Sequence, residues 1–599
     1  MLLCLVTLSA ALTACGGADS APEVAALASA TEAAAAGQEQ AFDMVSTSLA
    51  LAGTVDTTLP PVNAEPAPLT GGGAGAASDN NETASASAPP ATPPTADGNP
   101  VGPQAALPAA PQPASNLPGS TSGASAANCS IVPPIPPVPA GAKRVTDFGA
   151  LPNDAIDDTV AIQQAFDKLR PGDWLVFPAG RYLISKSINL RVPGTTLYGA
   201  GATIHATNID DQAIRLQADD TRIYSFTKTA VTSTRKGAPW QAGIAVFAEN
   251  PDRTKKLIRN VVIQGNRIIN AGAPGTPEAN SAGSAGIILV RTHGFLIANN
   301  TVVRSLADGI HMTAGTRDGR VIGNTVRETG DDMIAVVSYA SGGVSALNSA
   351  ERTLSNWDTK KSERLDRNII ISGNTVSGQY WGRGITVVGG EGITVSGNKV
   401  SNTAHGAGIM VAREAGYQTY GSRNVRVENN TIEQVQTTAP PYDANNKWDP
   451  SLRTRQGGIE INSIVYEDEA ADPMLLAEFA VRDVLLRNNT VSEVAAPGVR
   501  VGAPVRSRKS AVDPQSGATV TRTMQPGVVE NIVIERTALS RIGHSVPLYI
   551  VPSGVTPGTV WCGANTLGGA AIGSEACSAT VKPVIAGASL SCLPNGQTR

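Results

Sequence analysis

Seven short segments built on one pattern constrain this chain more than any other feature. They read Ile263-Gln264-Gly265-Asn266, Ile297-Ala298-Asn299-Asn300-Thr301-Val302, Ile322-Gly323-Asn324-Thr325-Val326 and Ile371-Ser372-Gly373-Asn374-Thr375-Val376, then Val395-Ser396-Gly397-Asn398, Val427-Glu428-Asn429-Asn430-Thr431-Ile432 and Leu486-Arg487-Asn488-Asn489-Thr490-Val491. Asn300 to Asn324 and Asn374 to Asn398 each span 24 residues, a length suited to one coil of a β-solenoid. Longer gaps are that length plus loops. Asparagines stacked at one corner can bond along the stack and satisfy turn backbone groups, so their expected role is structural.

A second strand repeats in step with the first, as Gly286-Ile287-Ile288-Leu289, Gly309-Ile310-His311-Met312, Met333-Ile334-Ala335-Val336, Gly384-Ile385-Thr386-Val387, Gly408-Ile409-Met410-Val411, Gly458-Ile459-Glu460-Ile461 and Gly498-Val499-Arg500-Val501. Alternation turns Ile310, Ile334, Ile385, Ile409 and Ile459 inward, together with Met312, Val336, Val387, Val411 and Ile461. The residues between them face outward. Composition agrees: charged residues are 16% and aromatics 4%, against 61 glycines and 41 prolines, a mix for short strands and turns. The expected fold class is all-β, a right-handed parallel β-helix with an N-terminal capping helix. A net charge of -4 supplies no basic field for nucleic acid.

The N-terminus bears on compartment. Leu2 to Ala14 is apolar but too short for a permanent membrane span. It ends in Leu12-Thr13-Ala14-Cys15-Gly16, which resembles the bacterial lipobox, although no Lys or Arg precedes the run. The resemblance implies lipidation of Cys15 and a cell-envelope address, at the outer membrane or cell surface; the other reading is an ordinary cleaved signal and secretion. The expected organisation is a signal peptide over 1–15, a disordered Ala/Pro/Ser-rich linker over 16–140, the β-helix over 141–555 and a cysteine-containing cap or tail over 556–599. Without Cys4 and Cys15, the cysteines left are Cys129, Cys562, Cys577 and Cys592. They pair in three possible ways, and none sits in a CxxC. Structural disulfides are expected rather than zinc.

Val145-Thr146-Asp147-Phe148-Gly149-Ala150 leads to the N-cap cluster Asp157-Asp158-Thr159. Val160, Ile162, Ala165, Phe166 and Leu169 follow at helical spacing, and Pro171-Gly172-Asp173 stops that helix before the strand and turn Trp174 to Tyr182. This stretch resembles the lead-in of the pectate-lyase-like and polygalacturonase-like β-helix superfamily. The resemblance implies a helix that plugs the open end of the stack, which an uncapped solenoid needs.

Aligned coils place Asp308, Asp332 and Arg383 at one position, with Asp331 beside Asp332 and His311 close by. Strands about 4.8 Å apart would stack the carboxylates, whose repulsion raises at least one pKa. Such clustering keeps one carboxyl protonated as an acid while another serves as a base. Ala307-Asp308-Gly309-Ile310, followed by Gly330-Asp331-Asp332-Met333-Ile334-Ala335, resembles the aspartate motifs of polygalacturonase-type glycoside hydrolases. The resemblance implies Asp308, Asp331 and Asp332 as catalytic carboxylates, with His311 joining them as the neighbour on the wall. Where that family has Gly-His-Gly this chain has Gly382-Arg383-Gly384, and Gly408-Ile409-Met410 carries no Arg-Ile-Lys clamp. Candidate substrate-binding residues are Arg383, Tyr380, Trp381, Glu460 and Arg413. His405, at a corner, reads as structural. Insertions at Tyr339 to Arg367, with Trp357, and Pro440 to Gln456, with Tyr442 and Trp448, sit where a groove would be built.

The expected function is polysaccharide hydrolysis by carboxylate acid–base catalysis, without a cofactor or metal. The alternatives are a lyase or epimerase acting on uronates, for which Asp331 and Asp332 could hold calcium, and a non-catalytic polysaccharide-binding or adhesin-type surface lipoprotein. The expected partners are a polysaccharide and, through the lipid alone, a membrane. Both monomer and trimer fit the sequence.

Overall fold

The structure, a computed structural model, describes residues 129 and 131–590, apart from 210, 232–241, 249–256, 272–284, 341–363, 418, 441–452, 504–506, 513–518, 573–576 and 589. Cys15, Trp357, Tyr442, Trp448 and Cys592 lie outside the described residues.

The chain winds into a right-handed parallel β-helix. Three long sheets run along it, each of thirteen strands among the described residues. Sheet A begins at Lys143–Arg144, sheet B at Gly180–Ile184 and sheet C at Ile188–Leu190. The register in sheet C follows the sequence repeat: Ile287, Ile310, Ile334, Ile385, Ile409, Ile459 and Val499 pair in succession. All are fully buried in one continuous core, as are Met312, Val336, Val387, Val411 and Ile461. Glycine precedes most of these isoleucines because the coil is narrow there. A Cβ on Gly309 would stand 2.2 Å from Val326 Cγ1 and 2.4 Å from the Met333 carbonyl.

The asparagines form the expected ladder at the corner between sheets A and B. Nδ2 of Asn266, Asn300, Asn324, Asn374, Asn398 and Asn430 each donates to Oδ1 of the next asparagine at 2.9–3.0 Å. The same Oδ1 accepts the preceding asparagine's backbone N–H, as Asn324 does from Asn300 at 2.9 Å. Each amide group therefore saturates a turn that water cannot reach.

The capping helix spans Thr159–Asp167 and buries Ile162, Ala165 and Phe166. Val160 departs from expectation, being 67% exposed. Asp158 does not cap the helix with its side chain; its two oxygens accept the N–H groups of Leu151 (3.1 Å) and Leu183 (2.9 Å), tying the plug to the first coil.

Described residues before 141 already lie against the coils. The carbonyl of Pro133 accepts from Gln264 Nε2 at 2.8 Å, and those of Cys129 and Ile131 accept from Arg320 Nη1 at 3.1 and 2.9 Å. Prolines lack an N–H but keep a carbonyl, so this segment docks as an acceptor strap. Parallel pairing continues past residue 555 to Thr566–Leu567, on which Ala570–Ala571 folds back antiparallel. Cys562 and Cys577 form a disulfide, and Cys129 is disulfide-bonded too.

Replacing Asn324 by alanine strips acceptors from the buried Asn300 amide and backbone N–H. A loss of about 2–4 kcal/mol is expected from two orphaned donors. Urea unfolding of Asn324→Ala against the exposed-site control Thr375→Ala measures it; equal midpoints for the two variants would remove the ladder from the account of stability.

Candidate active site

The site forms where each coil turns from sheet B into sheet C. Consecutive coils cross this corner at Asp308, Asp332 and Arg383, and backbone bonds fix them one above another. Gly309 N–H donates to the Asp332 carbonyl (2.9 Å) and Met333 N–H to the Arg383 carbonyl (3.0 Å). Asp308, Asp331 and Asp332 each bring one carboxylate oxygen to within 4.8 Å of the others. Asp308 and Asp332 are buried, at 4% and 5% exposure, and Asp331 is half-buried. His311, the second residue of the strand Ile310–Thr313, hydrogen-bonds Asp308 Oδ2 through Nδ1 at 2.5 Å. The sequence-derived cluster is thus assembled.

Asp332 is the centre of the electrostatics. Its Oδ1 accepts the backbone N–H of Arg383 at 2.6 Å, and Arg383 Nη1 lies 4.0 Å from the same oxygen. Burial pushes the carboxyl well above its ordinary range; Arg383 pulls it down, while Asp331, Asp308 and Glu414 push it further up. Gly382 lets the Arg383 corner approach this closely, since a Cβ there would meet Asp331 Oδ1 at 2.2 Å and the Asp332 nitrogen at 2.4 Å.

Arg383 is not a free guanidinium. Its Nη2 pairs with Glu414. Burial disfavours its charge, but Glu414 and Asp332 more than offset this and hold it protonated.

Three site residues are additions to the sequence-derived set. Glu414 and Tyr417 come from the turn after the strand Ile409–Arg413, and Tyr339 from the residues after Ile334–Val337. A bridge between Tyr339 and Thr419 clips these segments together, with Tyr420 N–H on the Ser338 carbonyl at 3.0 Å. Both phenols are pushed up, first by burial and then by the carboxylates: Asp308 leads for Tyr339 and Asp331 for Tyr417. The signal that pointed to this turn was spacing. Asn398 to Asn430 is 32 residues against the basic 24, so eight residues must leave the coil between them.

Other expected substrate contacts are corrected. Arg413 is fully buried: it donates to the carbonyls of Thr419 (Nε, 3.2 Å) and Ile464, pairs with Glu469 at 2.8 Å and lies 4.1 Å from the Phe479 ring centre. It braces the turn that carries Glu414. Glu460, also fully buried, pairs with Arg500 through both oxygens (3.0 and 2.9 Å) and accepts from Gly457 N–H and Asn462 Nδ2. It has no capacity left for a sugar. Outward-facing on this wall does not mean exposed, because later segments lie over it. Tyr380 is buried at 6% exposure, whereas Trp381 is half-buried and stacks on His405, ring centres 4.2 Å apart.

Residues 143–408 match the family model described as Rhamnogalacturonase A/epimerase, pectate lyase-like. Among curated proteins, none matches the sequence. Solved structures similar in fold include the A-module of the Azotobacter vinelandii mannuronan C-5 epimerase AlgE6, with 16% identity, 71% of this chain and 93% of that one covered and a TM-score of 0.44. The catalytic unit of the GH87 alpha-1,3-glucanase of Streptomyces thermodiastaticus has 18% identity over 72% and 69%, with a TM-score of 0.40. The Family 28 exopolygalacturonase of Yersinia enterocolitica has 14% identity over 72% and 79%, with a TM-score of 0.36. Over residues 143–408, then, the chain is similar to the rhamnogalacturonase A/epimerase, pectate-lyase-like family, and the solved structures share its parallel β-helix fold.

Proposed function

We propose that this protein hydrolyses a glycosidic bond in a polysaccharide. The observation that carries the proposal is Asp332, a carboxyl held well above its ordinary range by burial inside a group of three aspartates. A carboxyl that stays protonated can donate its proton to the departing glycosidic oxygen. An ionised neighbour can take a proton from the water attacking the anomeric carbon. Asp331, the more open of the other two, is assigned to that water. Asp308, hydrogen-bonded to His311, supports it with a fixed negative charge. Trp381, beside this corner, is assigned to stacking against a sugar ring.

Two features weigh against proton abstraction from a uronate. The tyrosines nearest the carboxylates have pKa values pushed up, which disfavours the phenolate such a base requires. The guanidinium that would neutralise the uronate carboxylate is already paired with Glu414. The three aspartate oxygens form a set able to hold a hard divalent cation, and a chelator separates that role from direct acid–base work.

Asp332→Asn and Asp331→Asn are each expected to lower kcat about a hundred- to ten-thousand-fold. Trp381→Ala is expected mainly to raise KM. Incubation with neutral and anionic polysaccharides should release reducing ends without ultraviolet-absorbing unsaturated product; unsaturation, or full activity in Asp332→Asn, rules out this mechanism.

Asp332 also links stability to pH. Its folded pKa lies above the ordinary 3.8, so folding takes up a proton between the two values, and stability falls as pH rises through that window. Asp332→Asn removes the titration. Thermal midpoints of wild type and variant should converge below about pH 4 and separate above it, the variant melting higher; parallel curves would refute the assignment.

A further inference from the structure

We infer that the site accepts an uncharged glycan ring in preference to a uronate, and that Glu414 is the specificity-determining residue that makes it so. The inference rests on the hydrolase reading above and names its substrate class. Four carboxylates, those of Asp308, Asp331, Asp332 and Glu414, act on one another here, and Arg383 is the cation set among them. The Arg383 guanidinium and the His311 ring are what these four carboxyl groups face in the cluster.

A uronate carboxylate needs a donor that is not already committed. Arg383 is poorly placed to be one: Nη2 is taken by Glu414, Nε is buried, and Nη1 lies among the carboxylates, 4.0 Å from Asp332 Oδ1. A further carboxylate would meet like charges at close range, where juxtaposition costs several kcal/mol. Sugar hydroxyls behave in the opposite way: they donate to carboxylates and bring no charge. Trp381 adds an apolar, partly open ring at the same corner, stacked on His405.

Glu414 is placed to set this balance from outside the coil repeat. Its N–H is fixed by Thr419 Oγ1 at 3.0 Å, within the turn held by the Tyr339–Thr419 bridge and braced by Arg413. Removing its charge while keeping its shape leaves the Arg383 terminal nitrogens open to an incoming anion.

Affinity electrophoresis of the full chain tests this, in gels containing EDTA and one polysaccharide each. Neutral probes are laminarin, galactomannan and fully methyl-esterified pectin; uronate probes are polygalacturonate and alginate. The wild type should be retarded by at least one neutral probe, with affinity for the uronates at least about tenfold weaker. Glu414→Gln should gain retardation by a uronate, and Glu414→Gln combined with Arg383→Met should lose that gain. Wild-type retardation by polygalacturonate or alginate as strong as by the neutral probe, in EDTA or only when calcium replaces it, overturns the inference alone and leaves hydrolysis standing. Unchanged discrimination in Glu414→Gln overturns the role of that residue. Retardation by no probe overturns the inference and the hydrolase reading together.

Discussion

Registry between neighbouring coils is the constraint on which everything else in this protein depends. Parallel strands bond evenly and would tolerate a slip, yet a one-residue slip would exchange the core face for the outer face. The asparagine ladder removes that freedom. Asn374 Oδ1 accepts two N–H groups from Asn324 in the coil before it, and its Nδ2 donates back to the Val321 carbonyl of that same coil (3.0 Å) as well as forward to Asn398. Only one alignment satisfies every donor. The isoleucine and valine columns of sheet C then fall into line, and Asp308, Asp332 and Arg383 fall into line with them.

The active-site chemistry follows from that alignment. Carboxylates brought together on adjacent coils repel, and a free chain would separate them. Here the backbone bonds from Gly309 to Asp332 and from Met333 to Arg383 hold the corners in place. Burial first, and then this repulsion, raise the Asp332 pKa while the corners stay in place. The scaffold's rigidity therefore supplies the condition that a general acid needs.

What the sequence made legible was whatever obeyed the repeat. Coil length and alternation place His311 against Asp308 and Asp332 next to Asp308 without coordinates. Glu414, Tyr417 and Tyr339 escaped because they belong to departures from the repeat, where spacing shows that residues leave the coil but not where they return. Glu460 and Arg413 were misassigned for the opposite reason. Their outward position was right, but periodicity says nothing of what lies above a wall. Arg500 and Glu469 meet them there from distant parts of the chain. The strap at residues 131–140 was hidden by composition: a proline-rich stretch cannot build a core, yet its carbonyls can dock on one.

The contrast between Glu460 and Asp332 separates scaffold from site. Both are buried acidic residues at the sheet C wall, and both have an arginine one coil away. Glu460 faces Arg500 one to one, with its remaining capacity filled by Gly457 and Asn462, which is how a buried ion pair offsets its desolvation cost. Asp332 shares Arg383 with Glu414 while Asp331 and Asp308 crowd it, so negative charge exceeds what the described cation can balance. Surplus of that kind has no stabilising purpose, because two fewer carboxylates would leave a more stable corner. Buried Asp366 is answered by Ser338 and the N–H groups of Gly315 and Thr316, and Glu460 by Arg500, so crowding of several carboxylates sets this corner apart as the place where stability gives way to chemistry.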